Sequence, residues 1–139
     1  MKKCNIMKTV LDMNFLSELI MVDVGIWNTV IDQYSQMSIT IDTGASITTI
    51  STDILNKLGY STTSGKERKI ITASSVEYVK SLIIGKMKLG DIVLENVEVY
   101  AHSFPESSFS LGVLGLNVLK NFDVSLLFSK KVIELIPID

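Results

Sequence analysis

A closed or sandwiched all-β fold with one or two short helices is what this sequence predicts. Three observations carry that prediction. Many short apolar runs are separated by turn-forming residues, only two segments have helical spacing, and the apolar content suffices for one core. The chain has 139 residues, 47% of them hydrophobic, which suits a single folded domain. It shows no internal duplication, low-complexity tract or linker that would divide it.

Residues 1–16 are weakly patterned. Residues 1–18 are read as an N-terminal extension, mobile or a short helix, and 19–139 as the folded domain. Leu19 to Val24 and Met37 to Ile41 read as strands, and GIWNTVIDQYSQ between them as a strand and a turn. After Asp42-Thr43-Gly44, Ser46 to Ile50 alternates in part, as a strand does. STDILNKLGY carries the first helix signal. Ser51 or Thr52 is positioned to cap it, Asp53 suits its positive end, Ile54, Leu55 and Leu58 share one face, and Gly59 ends it.

STTSGKE, Ser61 to Glu67, is a polar loop, and the nearby cluster Lys66, Arg68, Lys69 reads as solvated loop. RKIIT and VEYVKSLII then flank Ala73-Ser74-Ser75, with Gly85 punctuating the second run. Gly90-Asp91 forms a turn, and Ile92, Leu94, Val97 and Val99 mark a half-buried strand with an irregularity near Asn96. Ala101 to Phe109 is a loop containing Pro105. LGVLGLNVLKNF gives a buried strand, a glycine and a short helix from Leu116. FDVSLLF, a Ser129-Lys130 turn and KVIELI close the chain as a hairpin.

Several function classes fall away on composition. A net charge of −2 without a cationic cluster argues against nucleic acid or an anionic membrane as the main partner. One cysteine, Cys4, forbids an intrachain disulfide, and with one histidine, His102, it cannot supply the ligand set of a structural zinc site. The start of the chain is interrupted by Asp12, Asn14, Ser17 and Glu18, so it does not read as a signal peptide. No apolar run has the length of a membrane span. The expectation is a cytoplasmic protein that needs no cofactor.

The chemistry gathers in SITIDTGASITTIST, Ser38 to Thr52. An acidic-polar-glycine triplet alone is ordinary turn chemistry. Here, however, Ile39 and Ile41 put an apolar strand directly before Asp42. Ala45 and Ser46 follow the glycine, and small residues there let the backbone approach a carboxylate and donate amide hydrogen bonds. Far downstream, VLGLNVLKNFDV joins a buried strand to a short amphipathic helix without a linker.

Together these segments resemble the retropepsin-like aspartic proteases. The matching residues are Ile41-Asp42-Thr43-Gly44-Ala45-Ser46 and Val113-Leu114-Gly115-Leu116-Asn117-Val118-Leu119, with a run of hairpins between them. The likeness spans Leu19 to Ile136, and DILNKLG sits where many single-domain members carry a helix. It implies a closed β-barrel of the acid-protease type. It also implies peptide-bond hydrolysis by two carboxylates that share one proton. The chain contains a single Asp-Thr-Gly. A complete site therefore requires a homodimer with one Asp42 from each copy, acting on a peptide or protein substrate.

The same resemblance implies that Thr43 hydroxyls brace the two loops across the two-fold axis. Gly44 would bring its backbone close to the carboxylates, with Ala45 beside it, and Ser46 would donate from behind. Val113, Leu114 and Gly115 would underpin the loop. The flap matches Ile71 to Val79, with Ala73, Ser74, Ser75 and Val76 at its turn; unlike retroviral flaps it contains no glycine. That departure, with the N-terminal extension, supports an alternative: a non-catalytic retropepsin-like module for dimerisation or peptide binding.

Other reactive residues read blandly. His102 lacks a serine-hydrolase context and reads as a surface histidine, and Cys4 as a bystander thiol. Trp27 and Tyr34 read as core, while Tyr78, within the flap, has the option of facing substrate. Asp23, Asp32, Asp91 and Asp123 read as solvated turn or strand-end acids.

Overall fold

The computed structural model describes residues 8–71, 73–104 and 110–138. Cys4, Thr72 and Pro105 lie outside them. Among the described residues, eleven strands and two short helices follow in order. Strands β1 (Thr9–Asp12) and β2 (Asn14–Leu16) come first, then β3 (Leu19–Asn28) and β4 (Gln33–Ile41) as a long hairpin. Next are β5 (Thr49–Ser51), α1 (Thr52–Lys57), β6 (Lys66–Ile71), β7 (Val76–Leu89) and β8 (Ile92–His102). The chain finishes with β9 (Gly112–Leu114), α2 (Leu116–Leu119), β10 (Phe122–Leu127) and β11 (Val132–Pro137).

Eight strands form one sheet in the order β2-β3-β4-β9-β5-β8-β7-β6, and β1-β11-β10 form a second. The all-β class with two short helices is therefore observed. The closed barrel is met only in part: β2 and β6 are edge strands, and the pairs Gly25↔Lys88 and Ile26↔Met87 link β3 to β7 across the larger sheet. Val22, Val24, Ile26, Ile39, Ile50, Leu114, Ile133 and Leu135 are fully buried, so strands of both sheets and α1, through Leu55, share one core.

Residues 9–16 correct the sequence expectation. They form neither a helix nor a detached extension: β1 pairs with β11, and β2 with β3. Thr9, Leu11 and Met13 are buried in alternation. Four residues of alternation are too few to distinguish a strand from noise, and Thr9 counts as polar although it is buried. Its hydroxyl accepts a hydrogen bond from the Asp91 amide at 3.1 Å and so clasps the β7–β8 turn.

That turn falls where Gly90-Asp91 placed it, with Gly90 at φ +58°. The irregularity at Asn96 is also real. Asn96 adopts φ +56° opposite Gly85, and the ladder continues on both sides through Ile84↔Val97 and Lys86↔Glu95. Ile84 and Val97 are buried on one face of the ribbon; Met87 and Leu94 are buried on the other. The ribbon thus changes its core-facing side at this point while the register of its ladder is kept.

Smaller corrections follow the same logic. Lys66, Arg68 and Lys69 all belong to β6, so the arm read as RKIIT begins earlier, at Lys66, and the cluster is not loop charge. Helix α1 ends at Gly59, φ +91°, as its sequence suggests, but Ser51 caps it without a side-chain hydrogen bond. Trp27 and Tyr34 are half-buried, not core; they meet edge-to-face at 5.2 Å, with the Lys86 ammonium 4.6 Å from the Trp27 ring. His102 ends β8, half-buried and edge-on to Phe104 at 5.6 Å.

Candidate active site

Strand β4 delivers Asp42 to its position. Thr40 and Ile41 run parallel to Val113 and Leu114 of β9, and Asp42 is the first residue beyond that pairing. Its amide donates to the Leu114 carbonyl at 3.1 Å. On the other side of β9, Thr49 and Ile50 of β5 pair antiparallel with Val113 and Gly112. The loop from Asp42 to Thr48 therefore leaves and re-enters the sheet on either side of one short buried strand.

The carboxylate is half-exposed and oriented by its own turn. The Gly44 amide donates to Asp42 Oδ1 at 2.8 Å, and the Ala45 amide to the Asp42 carbonyl at 3.2 Å. A Cβ on Gly44 would sit 3.2 Å from that same Oδ1. The absence of a side chain thus keeps the approach to the carboxylate clear. Thr43, Gly44 and Ser46 are exposed at the loop surface.

Behind the loop, α2 accepts none of the carboxylate chemistry but fixes the backbone. The Leu116 amide donates to the Ala45 carbonyl at 2.8 Å, and the Asn117 amide to the Ser46 carbonyl at 3.0 Å. Gly115 lies so close that a Cβ there would stand 2.8 Å from the Ala45 carbonyl oxygen and 2.9 Å from the Thr48 nitrogen. Ser46 thus enters this framework through its backbone. Val113, Leu114 and Gly115 lie beneath the loop, against β4, β5 and Thr48.

Two residues of this framework had no role assigned from the sequence. Thr48 is fully buried; its hydroxyl donates to Asn117 Oδ1 at 2.9 Å and accepts from the Gly115 amide at 3.0 Å. Asn117 Oδ1 also accepts from the Thr48 amide at 2.8 Å, while Asn117 Nδ2 donates to the Glu98 carbonyl at 2.8 Å. The available signal was a polar Asn within an otherwise apolar helix, Leu-Asn-Val-Leu.

The β6–β7 hairpin faces the loop across a cleft of about 410 Å³. Gly44, Ala45, Ser46 and Ile47 form one wall, Thr49 and Tyr100 contribute to the lining, and Lys69, Ile70 and Ile71 form the hairpin side. Ala73, Ser74, Ser75 and Val76 sit at the exposed turn of that hairpin. The residues lining the cleft are therefore those of β6, just before the turn that the sequence singled out. Tyr78 is 64% exposed and lines a separate hollow with His102. Among the described residues, no group of three or more His, Cys, Asp or Glu is placed to hold a metal ion.

The family of the gag-polyprotein putative aspartyl protease matches residues 27–121. The chain belongs to this retropepsin-like aspartic protease family. The match contains both the Asp42 loop and the β9–α2 segment, the two halves of the framework just described. The fold of this retropepsin-like chain is also similar to the crystal structure of a retropepsin-like aspartic protease from Rickettsia conorii. That likeness has a TM-score of 0.68 and 17% sequence identity, and it covers 96% of this chain and 91% of the other. No curated protein sequence matches the chain. No helix among its described residues is long and apolar enough to cross a membrane.

Proposed function

We propose that this retropepsin-like chain is a homodimeric aspartic endopeptidase in which each copy supplies one Asp42. The observation that carries the reading is the single Asp-Thr-Gly loop, pinned by backbone hydrogen bonds to β9 and α2 and opening beside a cleft. A peptide lying in that cleft would pass between the loop and the β6–β7 hairpin.

Two carboxylates so close cannot both ionise, so the pair holds one proton. The ionised member takes a proton from a water held between them as that water attacks the scissile carbonyl carbon. The protonated member donates to the carbonyl oxygen. Collapse of the tetrahedral intermediate breaks the C–N bond, and a proton passes to the leaving nitrogen. The Gly44 amide, bound to Asp42 Oδ1, leaves the second carboxylate oxygen available for the water. The two apparent pKa values of such a site belong to the pair.

The test is peptide cleavage from mildly acidic to neutral pH, with Asp42→Asn as the control and sedimentation to measure oligomeric state. Asn retains an Oδ1 acceptor for the Gly44 amide, so the variant is expected to fold. Its cleavage rate is expected to fall by about three orders of magnitude or more. Cleavage that survives Asp42→Asn would overturn the mechanism. A stable dimer that binds peptides without cutting them would favour the non-catalytic module instead.

A further inference from the structure

Among the described residues that line the cleft, one carries a charge, and no described residue forms an ion pair with it. Ala45, Ile47, Ile70, Ile71 and Tyr100 present a largely apolar surface, into which β6 brings Lys69. Among the described residues, no Asp or Glu lines the cleft with it. Among the described residues the ion pairs are Lys8–Glu134 and Lys80–Glu67, at 3.6 and 3.8 Å, and neither involves Lys69. Its cross-strand neighbour is Tyr78, not an Asp or Glu.

We propose that Lys69 is a specificity-determining residue that selects peptides carrying an acidic side chain, with an apolar residue alongside it. The proposal rests on the cleft being the peptide site. A substrate carboxylate pairs with the Lys69 ammonium, and Ser46, which also lines the cleft, offers its hydroxyl to a remaining lone pair. Ile47, Ile70 and Ile71 favour an aliphatic or aromatic neighbour in the peptide. A basic residue at the same place meets like charge and is rejected.

Lys69 is exposed and does not contribute to the core, so its replacement leaves the fold intact. The experiment scores a peptide library for cleavage by the wild-type protein, Lys69→Met and Lys69→Glu. In parallel, binding of glutamate peptides and their glutamine twins is measured on Asp42→Asn and on Asp42→Asn combined with each Lys69 variant. Wild-type protein is expected to favour Asp or Glu over Gln at one position near the cleaved bond by about two- to fivefold, the size of a solvent-exposed ion pair. Lys69→Met should erase that preference while cleavage continues, and Lys69→Glu should turn it towards Lys or Arg.

Cleavage without acidic preference, or a preference unchanged in Lys69→Met, overturns the assignment of Lys69 and leaves the proteolytic reading standing. If nothing is cleaved, the binding arm decides. Tighter binding of the glutamate twin that Lys69→Met abolishes supports the assignment within a non-catalytic module. Equal binding of the twins overturns it.

Discussion

The side chain of Asn117 holds Thr48 by two hydrogen bonds to one oxygen, 2.8 Å from the Thr48 amide and 2.9 Å from its hydroxyl. Nothing in this contact touches a reacting atom. Its effect is to fix the far end of the Asp42 loop to α2, just where the loop re-enters the sheet at β5.

Removing that contact should loosen the loop before it harms the rest of the fold. Asn117→Ala leaves the Thr48 amide and the Glu98 carbonyl without these partners, at a cost of about 2–4 kcal/mol. Thr48→Val removes the hydroxyl shared with the Gly115 amide and should cost about 1–3 kcal/mol. Urea unfolding gives both values. Because the two residues act through one another, the double variant should lose less than the sum of the single losses. Strict additivity would show that they do not work as a unit.

Two glycines make opposite predictions from their surroundings. The three atoms nearest a Cβ on Gly115 are all backbone, at 2.8–2.9 Å in Ala45, Ile47 and Thr48, and backbone cannot swing aside. Gly115→Ala should therefore destabilise by about 1–3 kcal/mol and lower proteolysis further by shifting Asp42. A Cβ on Gly85 meets nothing within 4 Å. Gly85→Ala should change stability by no more than about 0.5 kcal/mol. Thermal unfolding of the two variants side by side checks the contrast, and equal losses would contradict it.

These residues also show what the sequence could reveal. Asp42 was singled out by the apolar strand before it and the small residues after it, and Gly115 by the family resemblance of its segment. Asn96 was legible because the apolar period slips beside it. The Thr48–Asn117 contact was not, since it joins residues 69 positions apart and neither side chain has a distinctive neighbour in sequence. The hairpin arm RKIIT was legible, but its basic residues looked like loop charge because the strand's polar start, Lys66-Glu67, is fixed only by pairing with β7. Strand β1 stayed hidden for a related reason: its burial depends on β11, more than a hundred residues later.

Tyr60 predicts a pH dependence that is independent of catalysis. Its hydroxyl donates to the Trp27 carbonyl at 2.7 Å, joining the end of α1 to β3. Burial raises the Tyr60 pKa above the ordinary 10.0, against a smaller lowering by a hydrogen bond from the Gly85 backbone. The folded chain therefore keeps this proton longer than the unfolded chain does. Below the unfolded pKa both states are protonated and the contribution is complete. As pH rises past 10.0 the unfolded chain ionises first, and stability falls until the folded pKa has been passed. Tyr60→Phe removes the ionisable group, so the difference in urea midpoint between wild-type protein and variant should shrink across that alkaline window. All other ionisable groups are common to both proteins and cancel in the difference. Parallel midpoint curves for the two proteins would show that Tyr60 carries no such linkage.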